Sequence, residues 1–457
     1  MKSKVFSSAM MLIWLSVAAR AQDSSASAGD TAWLLSAAAL VMLMTAPGLA
    51  LFYGGLVSQR NVLSTLMQSF SLLCLISLQW VLWGYTLCFG ADRGGLIGGF
   101  EHLAFNQVGV AAYGKVPHIA FAMYQCMFAV ITVALITGAF AERMSFKAFI
   151  AFSVLWTTLV YDPLAHWVWG GGWLMKMGAL DFAGGTVVHI SSGVSALIAA
   201  LIIGPRAGYP KRVLPPHNIS MTMIGASLLW FGWFGFNAGS ALESGGLAAL
   251  AFATTNTAAA AAGLAWSFIE WAHRGKPTLL GALTGSVAGL VAITPAAGYS
   301  AVPAAILIGS LASAICYLGI NWIKPRLGYD DSLDVFGVHG LGGTWGAIAT
   351  GIFASKAINP AGSDGLIYGN PRQLLIQLVG VAAAWALAAV GTFILLKVIG
   401  AFTQLRVNQE EEVVGLDLSL HGEVAYNFLT PGMSSAASIP VPEREESFSG
   451  SPATERN

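Results

Sequence analysis

The sequence predicts an all-α integral membrane protein of about eleven transmembrane helices. It expects an inverted five-helix repeat plus one added helix, with the N-terminus outside and the C-terminus inside. Three observations carry that expectation. Of 457 residues, 56% are hydrophobic and only 10% are charged, against about 25% charged in a soluble domain. The apolar residues fall into regular windows of spanning length separated by short polar joins. Two stretches echo one another: D-F-A-G-G-T-V-V-H from Asp181 to His189, and D-V-F-G-V-H-G from Asp334 to Gly340. Each puts a histidine after an aspartate at the head of a glycine-rich apolar segment, as two halves sharing one central site would.

The first residues are a separate matter. Lys2 and Lys4 precede a short apolar run through Met10–Ala19, and Ala19-Arg20-Ala21 forms an A-x-A site. Residues 1–21 therefore read as a cleavable signal peptide, too short to span, with the mature chain starting near Gln22 on the outer side. On a polytopic protein this implies a bacterial or similar envelope and a place in the cell inner membrane.

From Asp30 onward the expected spans are 32–57, 64–90, 119–141, 147–171, 183–204, 218–240, 247–271, 278–298, 301–324, 335–355 and 373–402. Basic residues test the orientation, since cytoplasmic joins hold the excess of Lys and Arg. The expected inner joins hold Arg60, Arg143, Lys147, Arg206, Lys211, Arg212, Arg274, Lys276, Lys324, Arg326 and Arg406. The outer joins hold fewer: Arg93, Lys115, Lys176, Lys356 and Arg372. Because five spans is an odd number, the two halves must point in opposite directions through the bilayer. Glycines such as Gly185, Gly193, Gly340 and Gly343 suit close helix approach. After about residue 403 the chain turns polar and acidic, as a cytoplasmic regulatory tail; from about Thr430 its Ser, Pro, Ala and Glu content reads as disorder.

His189 and His339 lie in apolar surroundings, where ionisable groups are costly and usually functional. Glycines at i−4 and i+4 of His189, and at i+3 and i+4 of His339, leave room for another helix or a lumen. Neutral imidazoles sharing a hydrogen would give a narrow pore a polar, uncharged lining. Metal binding is the competing use of paired histidines, but no third ligand is evident nearby. On an ideal helix Asp181 and His189 stand about 12 Å apart along the axis and roughly 80° apart around it. Asp181 therefore reads as a cap on the free amides at the helix entrance, adding charge at the outer mouth, and Asp334 reads likewise at the inner end.

Aromatic residues supply a second constellation near the outer ends of their spans. Tyr124 and Phe128 are four apart and share a face, Trp169 ends the fourth span, and W-F-G-F-N-A-G-S runs from Trp233 to Ser240. Aromatic faces with a hydroxyl such as Ser240 attract a small cation; an interfacial aromatic belt is the plainer reading. The zero net charge gives no pointer to nucleic acid. Cys74, Cys88, Cys126 and Cys316 lie in apolar runs and read as packing residues.

These stretches, with A-P-G-L-A-L-F-Y-G-G-L from Ala46 to Leu56 and R-G-K-P-T-L-L-G-A from Arg274 to Ala282, resemble the ammonium transporter family (Amt/Mep, relatives of the Rh proteins) over about residues 30–426. G-L-D-L-S-L-H-G-E-V-A-Y, from Gly415 to Tyr426, resembles the regulatory C-terminal region of bacterial and plant members.

The resemblance implies a homotrimer with one pore per subunit. It makes His189 and His339 the twin pore histidines and Phe128 and Phe236 the stacked gate. Trp169, Tyr124 and Ser240 become the outer cation site, and Asp181 the aspartate that organises it. Tyr124 stands where other members have phenylalanine, which would keep the aromatic face and add a hydroxyl ligand. The implied partners are ammonium, the bilayer and a P-II type nitrogen-regulatory protein at the tail, with no cofactor and no enzymatic reaction. The alternative is an ammonium sensor signalling through that tail, which a following kinase-like or cyclase-like domain would favour. Carbon dioxide conduction fits less well, because Trp169 and Gly184-Gly185 look like the ammonium branch.

Overall fold

The structure, a computed structural model, describes residues 26–211 and 215–426. The expected signal peptide, Arg212 and the chain beyond Tyr426 lie outside the described residues. In chain order the bundle contains α1 (Ala28–Leu56), α2 (Gln59–Phe89), α3 (His118–Ala139), α4 (Phe146–Met177), α5 (Gly185–Ile203), α6 (Ile219–Gly239) and α7 (Gly246–Arg274). There follow α8 (Leu279–Ile293), α9 (Val302–Leu327), α10 and α11 (Pro371–Phe402), where α10 is the turn Phe336–Gly340 continued by Leu341–Phe353. Among the described residues nine of these are long and apolar enough to cross a membrane; α8 and α10 are the shorter ones. Most follow the expected windows to within a few residues; α4 continues through a break to Met177, past the expected 171, and α8 stops at Ile293, short of 298, where turns through Pro295 begin. Proline carries no amide to extend the ladder.

Local chemistry sets the helix starts. Ser27 accepts from the amide of Asp30, Ser145 from Ala148, Asn218 from Met221 and Thr278 from Gly281. Each side-chain oxygen satisfies an amide that has no partner within its helix. Leu78, Leu264, Phe268 and Leu375 are exposed on the outer flanks, a surface suited to acyl chains rather than water. Cys74 is also exposed on such a flank; Cys88, Cys126 and Cys316 are buried as expected, and all four are free thiols.

The packing pairs the first and second halves. α1 lies along α6, the start of α5 crosses α10, and α7, α8 and α9 pack on one another. α11 covers α4, α5 and α10. Between α2 and α3 the chain makes two short hairpins, β1–β2 (Asp92–Arg93 with Ile97–Gly98) and β3–β4 (Ala112–Tyr113 with Val116–Pro117).

The tail is folded as far as it is described. α12 (Gln409–Val414) and α13 (Leu416–His421) dock against the start of α2. Asn61 Oδ1 accepts from the Leu416 amide at 2.7 Å, Asp417 Oδ1 accepts from the Ser64 amide at 2.8 Å, and Glu412 Oε1 accepts from the Ala207 amide at 2.6 Å. Beneath it Arg206 joins Glu142 and Asp330, each at 2.9 Å. Three connections, the start of α2 and the tail are thereby tied into one polar layer.

Candidate pore and outer site

The site is built where α5 and α10 cross. A Cβ on Gly193 would overlap the Gly340 amide, and one on Gly343 would come within 2.9 Å of His189 Cβ. Two backbones approach closely only over such bare faces, and the approach brings the histidines together. Their Nδ1 atoms stand 3.2 Å apart and their rings stack at 5.2 Å between centroids. Both histidines lie in turns wound i→i+5, Gly185–Ile190 and Phe336–Gly340, rather than in regular α-helix. Such widened turns often mark functional positions, and they rotate His189 away from the ideal-helix placement.

Both imidazoles are buried, and His189 Nε2 has no partner. Trp233 stacks on His189 at 5.4 Å, a contact not read from the sequence. A cavity of about 10 Å³ adjoins the pair, lined by Phe52, Ile131, Leu135, Trp233, Phe236 and other apolar side chains. That is room for about one water-sized molecule. A further cavity of about 30 Å³ continues below, sharing Phe52, Val287 and His339 with the first and ending at Leu333 and Asp334.

Above the histidines Phe128 and Phe236 stack at 4.2 Å between centroids, closing the way up. Phe128 also faces a vestibule of about 470 Å³ whose lining includes Gln125, Trp169, Asp181, Ser240 and Tyr299. Tyr124 meets Phe128 edge-on at 5.0 Å, and Trp169 does so at 6.1 Å. The expected outer residues therefore converge, although Tyr124 is fully buried behind the others. Its hydroxyl lies 3.0 Å and 2.8 Å from the carbonyl oxygens of Gly235 and Phe236, and 3.2 Å from Ser240 Oγ. The added hydroxyl is thus engaged in fixing the end of α6.

Asp181 is a complete cap. Oδ1 accepts from the amides of Gly184 and Gly185 at 2.8 and 2.7 Å, and Oδ2 from those of Thr186 and Val187 at 2.8 and 3.1 Å. Gly184 sits at φ 113°, a conformation that favours glycine. The Asp181 carbonyl oxygen accepts from Trp169 Nε1 at 2.9 Å, so the cap also holds the vestibule tryptophan.

At the inner end the expectation for Asp334 fails. Its side chain turns to Lys324 Nζ at 2.5 Å, and the α10 amide of Phe336 is received by Asp331 Oδ2 at 2.7 Å. Asp331 stands eight residues before His339, as Asp181 stands eight before His189, so the repeat had been read three residues out of register. Burial lifts the Asp331 carboxyl to about 6, against the pull of Lys324. Its folded value thus lies above that of a free aspartate. Stability from this group is present in full below about pH 4 and is lost as pH rises through 6. Between pH 5 and pH 7 the loss is about 1 kcal/mol. The expected result is a wild-type melting temperature that falls over that interval relative to Asp331→Asn; parallel curves would rule this titration out.

The comparisons with known proteins agree with this geometry. Residues 32–426 match the sequence pattern of the Ammonium Transporter Family. The chain is 53% identical to an ammonium transporter of Bacillus subtilis over 401 residues, covering 87% of this chain and 98% of that protein. It is 50% identical to ammonium transporter Amt1 of Archaeoglobus fulgidus, with 87% and 99% covered. The crystal structure of Saccharomyces cerevisiae Mep2 superposes with a TM-score of 0.79 at 37% identity, covering 85% of this chain and 89% of that one. A solved structure described as a sensor Amt protein gives 0.80 at 30% identity, with 86% and 98% covered. By its sequence and its fold, the chain belongs to the ammonium transporter family.

Proposed function

We propose that this protein carries ammonium across the inner membrane, taking it up as the cation at the aromatic vestibule and passing it inward as neutral ammonia. The observation that carries the reading is the narrow, largely apolar track from the stacked rings of Phe128 and Phe236 past His189 and His339. A cation entering it would be stripped of water at a cost of several kcal/mol, whereas ammonia pays far less. Trp169, Phe128 and Ser240 attract the cation at the mouth, with Tyr124 and Asp181 holding the frame. The ion then gives up its proton to water in the vestibule before the stacked rings, and the proton crosses separately from the ammonia, so that net charge moves. Potassium, of similar size, has no proton to lose, so selectivity follows from chemistry rather than diameter.

The same reading takes the N-terminus outside, the C-terminus inside, a cleaved leader at 1–21 and a homotrimeric assembly. The docked tail at 403–426 would present a cytoplasmic surface to a P-II type regulator. A second reading, ammonium sensing through the tail, draws support from the likeness to the sensor Amt structure.

The test is current on a supported membrane after an ammonium pulse, using the reconstituted protein. A transient current with ammonium and none with potassium is the expected result. Ammonia flux seen by internal pH without any current would make the transport neutral, and silence in both assays would favour the sensor reading.

A further inference from the structure

Resting on the transport reading, we propose that His166, gripped between the Cys88 carbonyl oxygen and Asp92, is a positioning residue for Trp169 and thereby sets the affinity of the outer cation site.

His166 lies in α4, three residues before Trp169, and its side chain has no exposure at all. Nδ1 stands 2.8 Å from the backbone carbonyl oxygen of Cys88, and Nε2 stands 2.9 Å from Asp92 Oδ1. A carbonyl oxygen only accepts, and an ionised carboxylate only accepts. The ring is thus gripped at both nitrogens, between the end of α2 and the β1–β2 hairpin. Asp92 is suited to hold the ring. Its carboxyl is held far below the usual carboxylate range by hydrogen bonds from His166 and Lys176, and Gly95 donates to Oδ1 at 2.7 Å.

The ring bond depends on a bare backbone beside it. A Cβ on Gly170 would overlap the Cys88 carbonyl oxygen and approach His166 Nδ1 at 2.7 Å. The His166 carbonyl oxygen in turn accepts from the amides of Gly170 and Gly172 at 3.0 and 2.9 Å, fixing the break that ends the main run of α4. The Trp173 amide then donates to Gly95 O at 3.0 Å, and Trp167 Nε1 to Leu96 O at 2.8 Å. Trp169 is thus fixed from two sides, by this clamp through the backbone and by Asp181 O through its indole. A vestibule whose attraction for a cation depends on ring placement needs such support. Other titratable or charged groups on the surrounding elements include Tyr85 and Cys88 of α2, Arg93 of β1, Tyr161, Asp162 and Lys176 of α4, and His189 of α5.

The experiment compares wild type with Asp92→Asn, Asp92→Glu and His166→Gln in reconstituted membranes, reading peak current against ammonium concentration. Asp92 is only one-quarter exposed by its side chain but sits on a surface hairpin, so Asp92→Asn keeps the test alive if His166→Gln does not fold. The expected result for Asp92→Asn is a roughly tenfold rise in the half-saturating concentration with maximal current unchanged, and recovery towards wild type in Asp92→Glu. Hydrogen exchange over 91–98 and 169–173 should quicken in Asp92→Asn. An unchanged half-saturating concentration, or a fall in maximal current alone, overturns the proposal, since positioning of the capture site acts on affinity. If the wild type moves ammonia without current, the half-saturating concentration is read from internal-pH flux instead; silence in both assays would sink the transport reading, while the exchange measurement still decides whether the clamp exists.

Discussion

Replacing Asp181 with alanine is expected to abolish transport and to cost on the order of 4 kcal/mol or more of stability. The carboxylate receives four amides of the first α5 turn, and the side chain is buried. Alanine would leave all four without a partner, and each buried unsatisfied donor costs about 1–3 kcal/mol. The carboxyl group also faces the positive end of the α5 dipole, which adds to its hold. The turn that would loosen is the one that carries His189, and the Asp181 carbonyl oxygen would no longer be fixed for Trp169. Asp181→Asn separates the two contributions, because asparagine keeps one acceptor oxygen and loses the charge. Its expected place is between wild type and alanine in both melting temperature and ammonium current. Wild-type current and melting in Asp181→Ala would refute the structural role assigned to the cap.

That role was legible in the sequence as far as Asp181 itself, because a polar residue before a long apolar run is a local signal. The spans were legible for the same reason: each depends on composition over a window, and bilayer thickness fixes the window. The inner cap was misread because three aspartates, Asp330, Asp331 and Asp334, lie close together. Which of them turns to the helix depends on where Lys324 and Arg206 sit, and those are contacts across the fold. The eight-residue spacing to the histidine was the signal that could have chosen Asp331. Nothing in the local pattern announces the i→i+5 turns that carry both histidines, since their widening answers to packing between α5 and α10. The docking of α12 and α13 pairs residues more than 350 positions apart, and a polar, acidic composition had suggested only a tail. His166 lay unremarked in an aromatic segment, because its acceptor Asp92 belongs to a hairpin between two spans.

Truncating both pore histidines, His189→Ala with His339→Ala, is expected to cost the protein its discrimination between ammonium and potassium by at least tenfold, about 1.4 kcal/mol. In the wild type a cavity of about 10 Å³ lined by both rings adjoins one of about 30 Å³ lined by His339. Removing both imidazoles joins these spaces and removes the polar pair at their junction. A merged cavity with the carbonyl and hydroxyl oxygens of the π turns exposed is roomy enough to take up several waters. Hydrated, the track no longer charges the full dehydration cost to a cation, and that cost is what excludes potassium. A potassium pulse that evokes no current in the wild type should therefore evoke one in the double variant. The single variants should fall between, since one ring remains to bar the column. A double variant that folds, carries ammonium current and still rejects potassium completely would place the selective step higher up, at the stacked rings of Phe128 and Phe236 and the vestibule above them.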